Sequence, residues 1–441
     1  MPAPIECGGA VKTPGSSALL ANIETIVVVM MENRSFDHHL GALSTDRGYP
    51  GAAGLDGLRG SEECPDNDGT MVAPWRLTGR ESRFVPTHKW EPSHTAFDSG
   101  RNDGFLRVNP VGDRLQVMGY HDRDHLPVQY ALADQYTVCD RWFASVMGPT
   151  WPNRFYLQAG TSEGRRDNSP IGFGGPATIW ERMAERCRST RNYFAAPAPW
   201  YAAAFPAKAF SGNDAVVAAR IEDFFRDART GNLPEFAIID PDFLTSDGHP
   251  AHDLALSDAF LSSIYRAMAE SPQWSRSLLI VCYDEHGGFF DHVPPPRTAD
   301  ARADFRQLGF RVPAIVIGPT VWQGKVVSET FDHVSIAATL GARYGIESLG
   351  PRMDAARDLS PCIDPARVNA PAVAPGKFPL VEVSAAQVTA ALHQSPSQRE
   401  LAQAIADHQV PERMVDPRTH AQRLDGWLRA AQELGSLRVV R

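Results

Sequence analysis

Nothing in the sequence can cross a bilayer as a helix. The longest apolar run, Ile26 to Met31, falls far short of the ~20 residues that a span requires. A basic run is missing too. The net charge is −9 and no cluster of Lys and Arg could neutralise a phosphate backbone, so no nucleic-acid partner is expected. That charge is compatible with contact to a zwitterionic lipid head group. Residues 1–15 have neither a basic n-region nor an apolar h-region. The expectation from that stretch is a cytoplasmic protein, with secretion the alternative. Cysteine is scarce. None of the six (Cys7, Cys64, Cys139, Cys187, Cys282, Cys362) pair at metal-ligand spacing. Most read as buried free thiols of a reducing compartment, and Cys7 with Cys64 is the pairing left open. There is no internal repeat and no low-complexity tract.

What is present is an apolar content of 43% with 22% charged residues, a soluble globular balance. At 441 residues the chain has room for one large α/β domain or two to three ordinary ones. Ser277 to Cys282 is an apolar, partly β-branched run, the pattern of a strand buried on both faces of a parallel sheet. It ends in Tyr283-Asp284-Glu285-His286-Gly287-Gly288. Adjacent carboxylates repel, and burying them is costly without a cation. A second such run, Glu24 to Met31, ends in Glu32-Asn33-Arg34-Ser35-Phe36-Asp37. Open α/β folds bind ligands at the carboxyl ends of their strands. Two oxygen-bearing strand ends, remote in sequence, therefore point to one divalent metal.

Phe236 to Asp240 and Val312 to Gly318 read as further strands, and Tyr136 to Asp140 as a strand candidate. Val128 to Ala133, Ile179 to Cys187, 215–230, Leu254 to Ser271 and a segment from Asp332 through Leu340 read as helices. Such alternation predicts a largely parallel sheet with helices on both faces. Residues 44–81 read as a long loop, and 361–379 as extended, Pro- and Ala-rich chain. Three amphipathic helices follow, at Ala385 to Leu392, Ser397 to His408 and Pro417 to Leu434. This tail carries no catalytic constellation. It either packs back on the core or bridges subunits of a homo-oligomer.

Thr150 stands just before Pro152, a residue suited to the first turn of a helix, which makes it an N-cap or a nucleophile at an anion-binding helix start. Metal coordination can activate a weak hydroxyl nucleophile. His88, Asn153 and His249 can hold phosphoryl and leaving-group oxygens, and a histidine near neutral pH can protonate the leaving group. His38, His39, His121 and His125 read as surface or loop residues.

Glu32-Asn33-Arg34-Ser35-Phe36-Asp37, Pro149-Thr150-Trp151-Pro152-Asn153-Arg154 and Asp284 through Pro295 together resemble the hallmark motifs of the bacterial phosphoesterase family. That family contains haemolytic and non-haemolytic phospholipases C and a related acid phosphatase. The segments His88-Lys89-Trp90, Met118-Gly119-Tyr120, Leu126 to Ala133, Arg311-Val312-Pro313 and Asp332 to Ser335 agree, so the resemblance covers roughly residues 22–360. It implies an alkaline-phosphatase-like α/β domain over residues 1–362, with 363–441 a linker and helical tail. It implies Glu32, Asn33, Asp284 and Glu285 as ligands of one divalent ion. Their hard oxygens favour Ca, Mg or Mn, with Zn not excluded. Thr150 would be the nucleophile, where relatives carry Thr or Ser, and Asn153 would bind a phosphoryl oxygen. His88 and His249 would line the site, with His249 the leaving-group acid and His252 or His286 the alternatives. Asp291 and His292 would brace the metal site. Trp90, Tyr120, Trp151 and Tyr156 are candidates for a choline-binding pocket. The activity implied is phospholipase C action on phosphatidylcholine-type lipids at a transient membrane or micelle contact. A broad acid phosphatase on the same site, or a catalytically idle lipid- or phosphate-binding module, are the rival expectations. The large secreted members carry longer C-terminal domains, so secretion and haemolysis do not carry over.

Overall fold

The run Thr-Ile-Val-Val-Val-Met-Met forms β1 (Thr25–Met31) because β-branched side chains pack well on a pleated surface. Every one of its residues is buried, as a strand covered on both faces must be. The computed structural model describes residues 18–80, 84–211, 216–374 and 378–440. The expected signal-free N-terminus and Cys7 lie outside them, as do parts of the expected 44–81 loop, 215–230 helix and 361–379 extended stretch. The main sheet continues with β2 (Thr137–Val138), β3 (Thr190–Phe194), β4 (Ala218–Arg220), β5 (Phe236–Asp240), β6 (Ser277–Tyr283), β7 (Ala314–Ile317) and β8 (Lys325–Val326). Its spatial order is β8-β2-β7-β6-β1-β5-β3-β4. The block β6-β1-β5-β3-β4 is parallel, and β7 runs against both its neighbours. The fold is α/β, with a large, mostly parallel sheet among helices.

Register is what builds the site. Thr25 pairs with Ser277 and Met31 with Tyr283, so β1 and β6 stop together. The residues that follow, Glu32 and Asp284, emerge side by side. On the other flank Val29 pairs with Ile239, which brings Asp240 to the same end of the sheet. Helix α1 (Thr150–Ala159) enters here, with α2 (Leu254–Ala269) and α3 (Val334–Tyr344) on the sheet.

The tail packs back. Strand β9 (Val381–Ser384) pairs in parallel with β10 (Leu437–Val440), with α4 (Arg399–Ala406) and α5 (His420–Glu433) between them. Leu401, Leu424, Trp427 and Leu428 are buried in the same hydrophobic cluster as the sheet, and Trp427 packs edge-on to Phe260 of α2. These side chains of the tail are thus covered within the chain. Cys64, Cys139, Cys282 and Cys362 are buried free thiols, so Cys64 makes no pairing with Cys7. Cys187, by contrast, is disulfide-bonded.

Candidate active site

Glu32, Asn33, Thr150, Asp284 and Glu285 come together, all almost fully buried. Asn33 adopts a left-handed backbone (φ 60°), a conformation Asn tolerates better than most residues. Its N–H donates to Asp284 Oδ1 at 3.0 Å, and Thr150 Oγ1 lies 3.4 Å from Asn33 Oδ1. Thr150 opens α1 without capping it: the N-cap is Pro149, and the first-turn N–H of Trp151 is taken by Asn168 Oδ1 at 2.9 Å. Its hydroxyl is therefore not committed to the helix.

Each carboxylate is held by one oxygen and leaves the other unpartnered. Glu32 Oε1 accepts from Arg154 Nη2 (3.1 Å) and Gln398 Nε2 (2.8 Å). Asp284 Oδ1 accepts from the Asn33 and Glu285 N–H groups, and Glu285 Oε2 from Gly287 N. Glu32 Oε2, Asp284 Oδ2 and Glu285 Oε1 are buried without a hydrogen-bond partner. A buried, unsatisfied carboxylate oxygen is costly. Burial drives the Glu32 and Asp284 pKa values up, and Glu285 to about 8. Arg154, 3.4 Å from Asp284 Oδ2 by its Nε, is the compensating cation present, and one guanidinium cannot neutralise three carboxylates. The orphaned hard oxygens fit a divalent cation.

Among the described residues, ring nitrogens at metal-ligand spacing occur in one trio only. His38, His39 and His121 place one nitrogen each within 4.8 Å of one another. The site carboxylates are more spread. All three histidines are buried, contrary to the surface reading, as is His125. His38 is fully used: one nitrogen meets Arg34 Nη1 at 2.8 Å and the other donates to the Gly119 carbonyl. The Arg34 charge there opposes a cation.

His88 Nδ1 donates to the Pro86 carbonyl, and its Nε2 faces Asn33 Nδ2 at 3.3 Å and Glu285 Oε1 at 3.9 Å. His249 Nδ1 donates to the Pro250 carbonyl at 2.7 Å, which leaves Nε2 as an acceptor. Burial pulls its pKa down to about 3, so it is neutral. The rings of His88 and His249 lie 6.4 Å apart on one wall of a cleft of about 840 Å³. His252 is not an alternative acid. Its nitrogens donate to Asp247 Oδ1 (2.6 Å) and the Ser395 carbonyl (3.0 Å). His286 is buried and held neutral, its pKa near 3.

Asn153 does not offer a phosphoryl-binding amide. Its Oδ1 accepts from Val146 N, and its Nδ2 donates to the Gly148 and Pro149 carbonyls. It shapes the loop that delivers Thr150. The aromatic cage is not assembled either. Arg166 covers the Trp90 ring, Trp151 donates to Gln398, and Tyr156 donates to Asp300. Tyr120 packs with a separate cluster around Phe105. Three site residues had no assigned role in the sequence reading: Arg154, Asp247 and Gln398. Arg154 was findable, because it follows Thr150 by four positions and shares its helix face.

Asp291 and His292 belong to an ionic network that ties the loop after β1 to the loop after β6. Buried Arg311 pairs with Asp37 and Asp291, and His292 pairs with Asp37 and Asp56. Burial alone would lower the His292 pKa, but Asp37 overrides it and raises it to about 9. A folded pKa above the unfolded value stabilises fully below about pH 6.5 and is lost as pH rises through about 9. Stability should therefore fall by roughly 2 kcal/mol over that window, after discounting for partial exposure. Thermal melting of wild type and His292→Asn across it should show the steeper slope in wild type, the residual slope in the variant coming from buried carboxyls such as Glu285. Parallel slopes would exclude His292 as the source.

The model of the Phosphoesterase family matches residues 23–347. The chain belongs to the phosphoesterase family. This phosphoesterase is 32% identical to non-specific phospholipase C1 of Arabidopsis thaliana over 74% of its own length and 68% of that protein's. It is 32% identical to phospholipase C A of Mycobacterium tuberculosis, over 79% and 77% respectively. A solved structure from Vibrio parahaemolyticus, described as in the alkaline phosphatase superfamily, aligns at TM-score 0.40 and 12% identity over 79% of this chain and 71% of that one. The phosphoesterase is a phosphoric ester hydrolase. Among its described residues no helix is long and apolar enough to cross a membrane.

Proposed function

We propose that this phosphoesterase is a metal-dependent phospholipase C. It cleaves phosphatidylcholine-type lipids to diacylglycerol and a phosphorylated head group through a phosphothreonine at residue 150. The observation that carries the reading is a Thr150 hydroxyl that caps no helix and meets Asn33, with three neighbouring carboxylates that each keep a buried oxygen without a partner. Glu32, Asn33, Asp284 and Glu285 would hold the ion. A divalent cation there supplies positive charge against the phosphoryl oxygens and eases loss of the hydroxyl proton. Thr150 Oγ forms the bond to phosphorus as the bond to the diacylglycerol oxygen breaks. Asp284, whose buried Oδ2 has no hydrogen-bond partner, would take the hydroxyl proton. The helix start beneath Thr150 favours the anion. His249 begins neutral. The arriving phosphodiester charge raises its pKa, so that it takes a proton from solvent in the cleft and delivers it to the leaving oxygen. Water then attacks the phosphorus of this Thr150–head-group diester, the Oγ–P bond breaks, Thr150 Oγ regains a proton and the phosphorylated head group is released.

With no aromatic cage, the cleft meets a head-group cation with carboxylates. Glu91, Asp167 and Glu400 line it, alongside Lys89, Arg166 and Arg399. Those basic groups favour a second reading, a phosphomonoesterase acting on dianionic esters. Hydrolysis of p-nitrophenyl phosphorylcholine and p-nitrophenyl phosphate separates the two. The diester is expected to win in kcat/KM by about tenfold or more, a difference of ~1.4 kcal/mol in the barrier. A clear preference for the monoester overturns the phospholipase assignment.

A further inference from the structure

One wall of the cleft comes from chain beyond the family-matched region, which ends at residue 347. Gln398, 2% exposed, reaches from this tail to the centre of the site. Its side-chain orientation is fixed by chemistry. The Trp151 indole N–H can only donate, so the atom 2.7 Å from it is the amide oxygen, which turns Nε2 onto Glu32 Oε1 at 2.8 Å. Arg154 donates to that same oxygen. Two donors on Oε1 lock the carboxylate rotation and leave Oε2 as its free face. The preceding residues clamp the opposite side. Ser397 donates to Asp247 Oδ2 at 2.5 Å, and Ser395 accepts from His252. Asp247 Oδ1 in turn accepts the His249 N–H.

We infer that Gln398 is a positioning residue: the tail segment Ser395–Gln398 is a strap that aims Glu32 at the divalent cation while holding the His249 loop. This rests on the metal-dependent reading above. Partners that orient ligands in this way are worth ~10–100-fold in metal affinity or activity.

The test is calorimetric titration of metal-stripped protein with Mn²⁺, with melting of the stripped proteins in parallel. Gln398→Met keeps the length of the side chain and removes its donor. It is expected to bind Mn²⁺ ~10–100-fold more weakly and to lose kcat in similar proportion, with KM for p-nitrophenyl phosphorylcholine little changed. Its metal-free melting temperature should fall only modestly, by what the buried Trp151 indole N–H loses with its acceptor, and the titrations are run where the variant is folded. Trp151→Phe, which leaves the amide free to rotate, should weaken Mn²⁺ binding in the same direction by about three- to tenfold, and it carries the test if Gln398→Met does not fold. Wild-type Mn²⁺ affinity in both variants, with Glu32→Gln impaired, overturns the positioning role and spares the metal reading. A wild-type protein that binds no Mn²⁺, indistinguishable from Glu32→Gln, overturns both.

Discussion

Thr150→Ala should fold normally and turn over at least ~10⁴-fold more slowly than wild type, because a covalent route loses its first bond-forming atom. Folding is spared for a structural reason. The hydroxyl makes a long 3.4 Å contact to Asn33 and caps nothing, so deleting it removes ~1 kcal/mol or less. Substrate binding should survive, since the cleft wall, His88 and His249 are untouched. Thr150→Ser restores a hydroxyl at the same helix start and should regain most of the rate. Rapid quenching of wild type turning over a choline phosphodiester, followed by peptide mass analysis, should find the phosphorylcholine adduct on Thr150 and nowhere else in the tryptic map. Unchanged turnover in Thr150→Ala would remove the phosphothreonine and leave direct attack by water. A wild type with no turnover on any phosphoester would favour the idle binding module.

Much of this site could be read in advance because fully buried parallel strands announce themselves. Both β1 and β6 are continuous apolar runs, and acids at their ends stand out against that background. What sequence could not supply was their shared register, which alone sets Glu32 beside Asp284. Strand β3 was missed because Thr-Arg-Asn-Tyr-Phe mixes polar and aromatic residues without alternation. The reversed direction of β7 has no local signature, since the sense of a strand is decided by its connections. Asn153 was misassigned because its position, one turn after Thr150, said nothing about which carbonyls the loop would bring to its amide. The buried histidines were misplaced for a similar reason. His38 and His39 sit in a polar-looking motif, and only the packing of Phe289 onto His38 shows that the motif is interior. Gln398 was beyond reach, being an amide in an unremarkable tail, given its role by a contact across 366 positions.

Gly287→Ala should be the most disruptive substitution that removes no functional group. Gly287 has φ +65°, a region that costs an L-residue ~1–2 kcal/mol. A methyl placed there would also stand 2.0 Å from the carbonyl oxygen of Asn33, a backbone atom with no rotamer to escape into. Overpacking of that kind adds ~1–3 kcal/mol, so a total loss of roughly 2–5 kcal/mol is expected. The damage to activity should exceed the damage to stability. Relief requires the Asn33 loop to retreat from the Glu285 loop, and that movement opens the Asn33–Asp284 hydrogen bond and draws Asn33 away from Thr150. Gly54→Ala is the control, since a methyl there meets nothing within 4 Å and the backbone is not left-handed. Melting temperature and kcat, measured where each variant remains folded, should show Gly54→Ala near wild type and Gly287→Ala inactive. An active, stable Gly287→Ala would mean that the two strand-end loops do not touch, and the convergence of Glu32, Asn33, Asp284 and Thr150 would lose its backbone support.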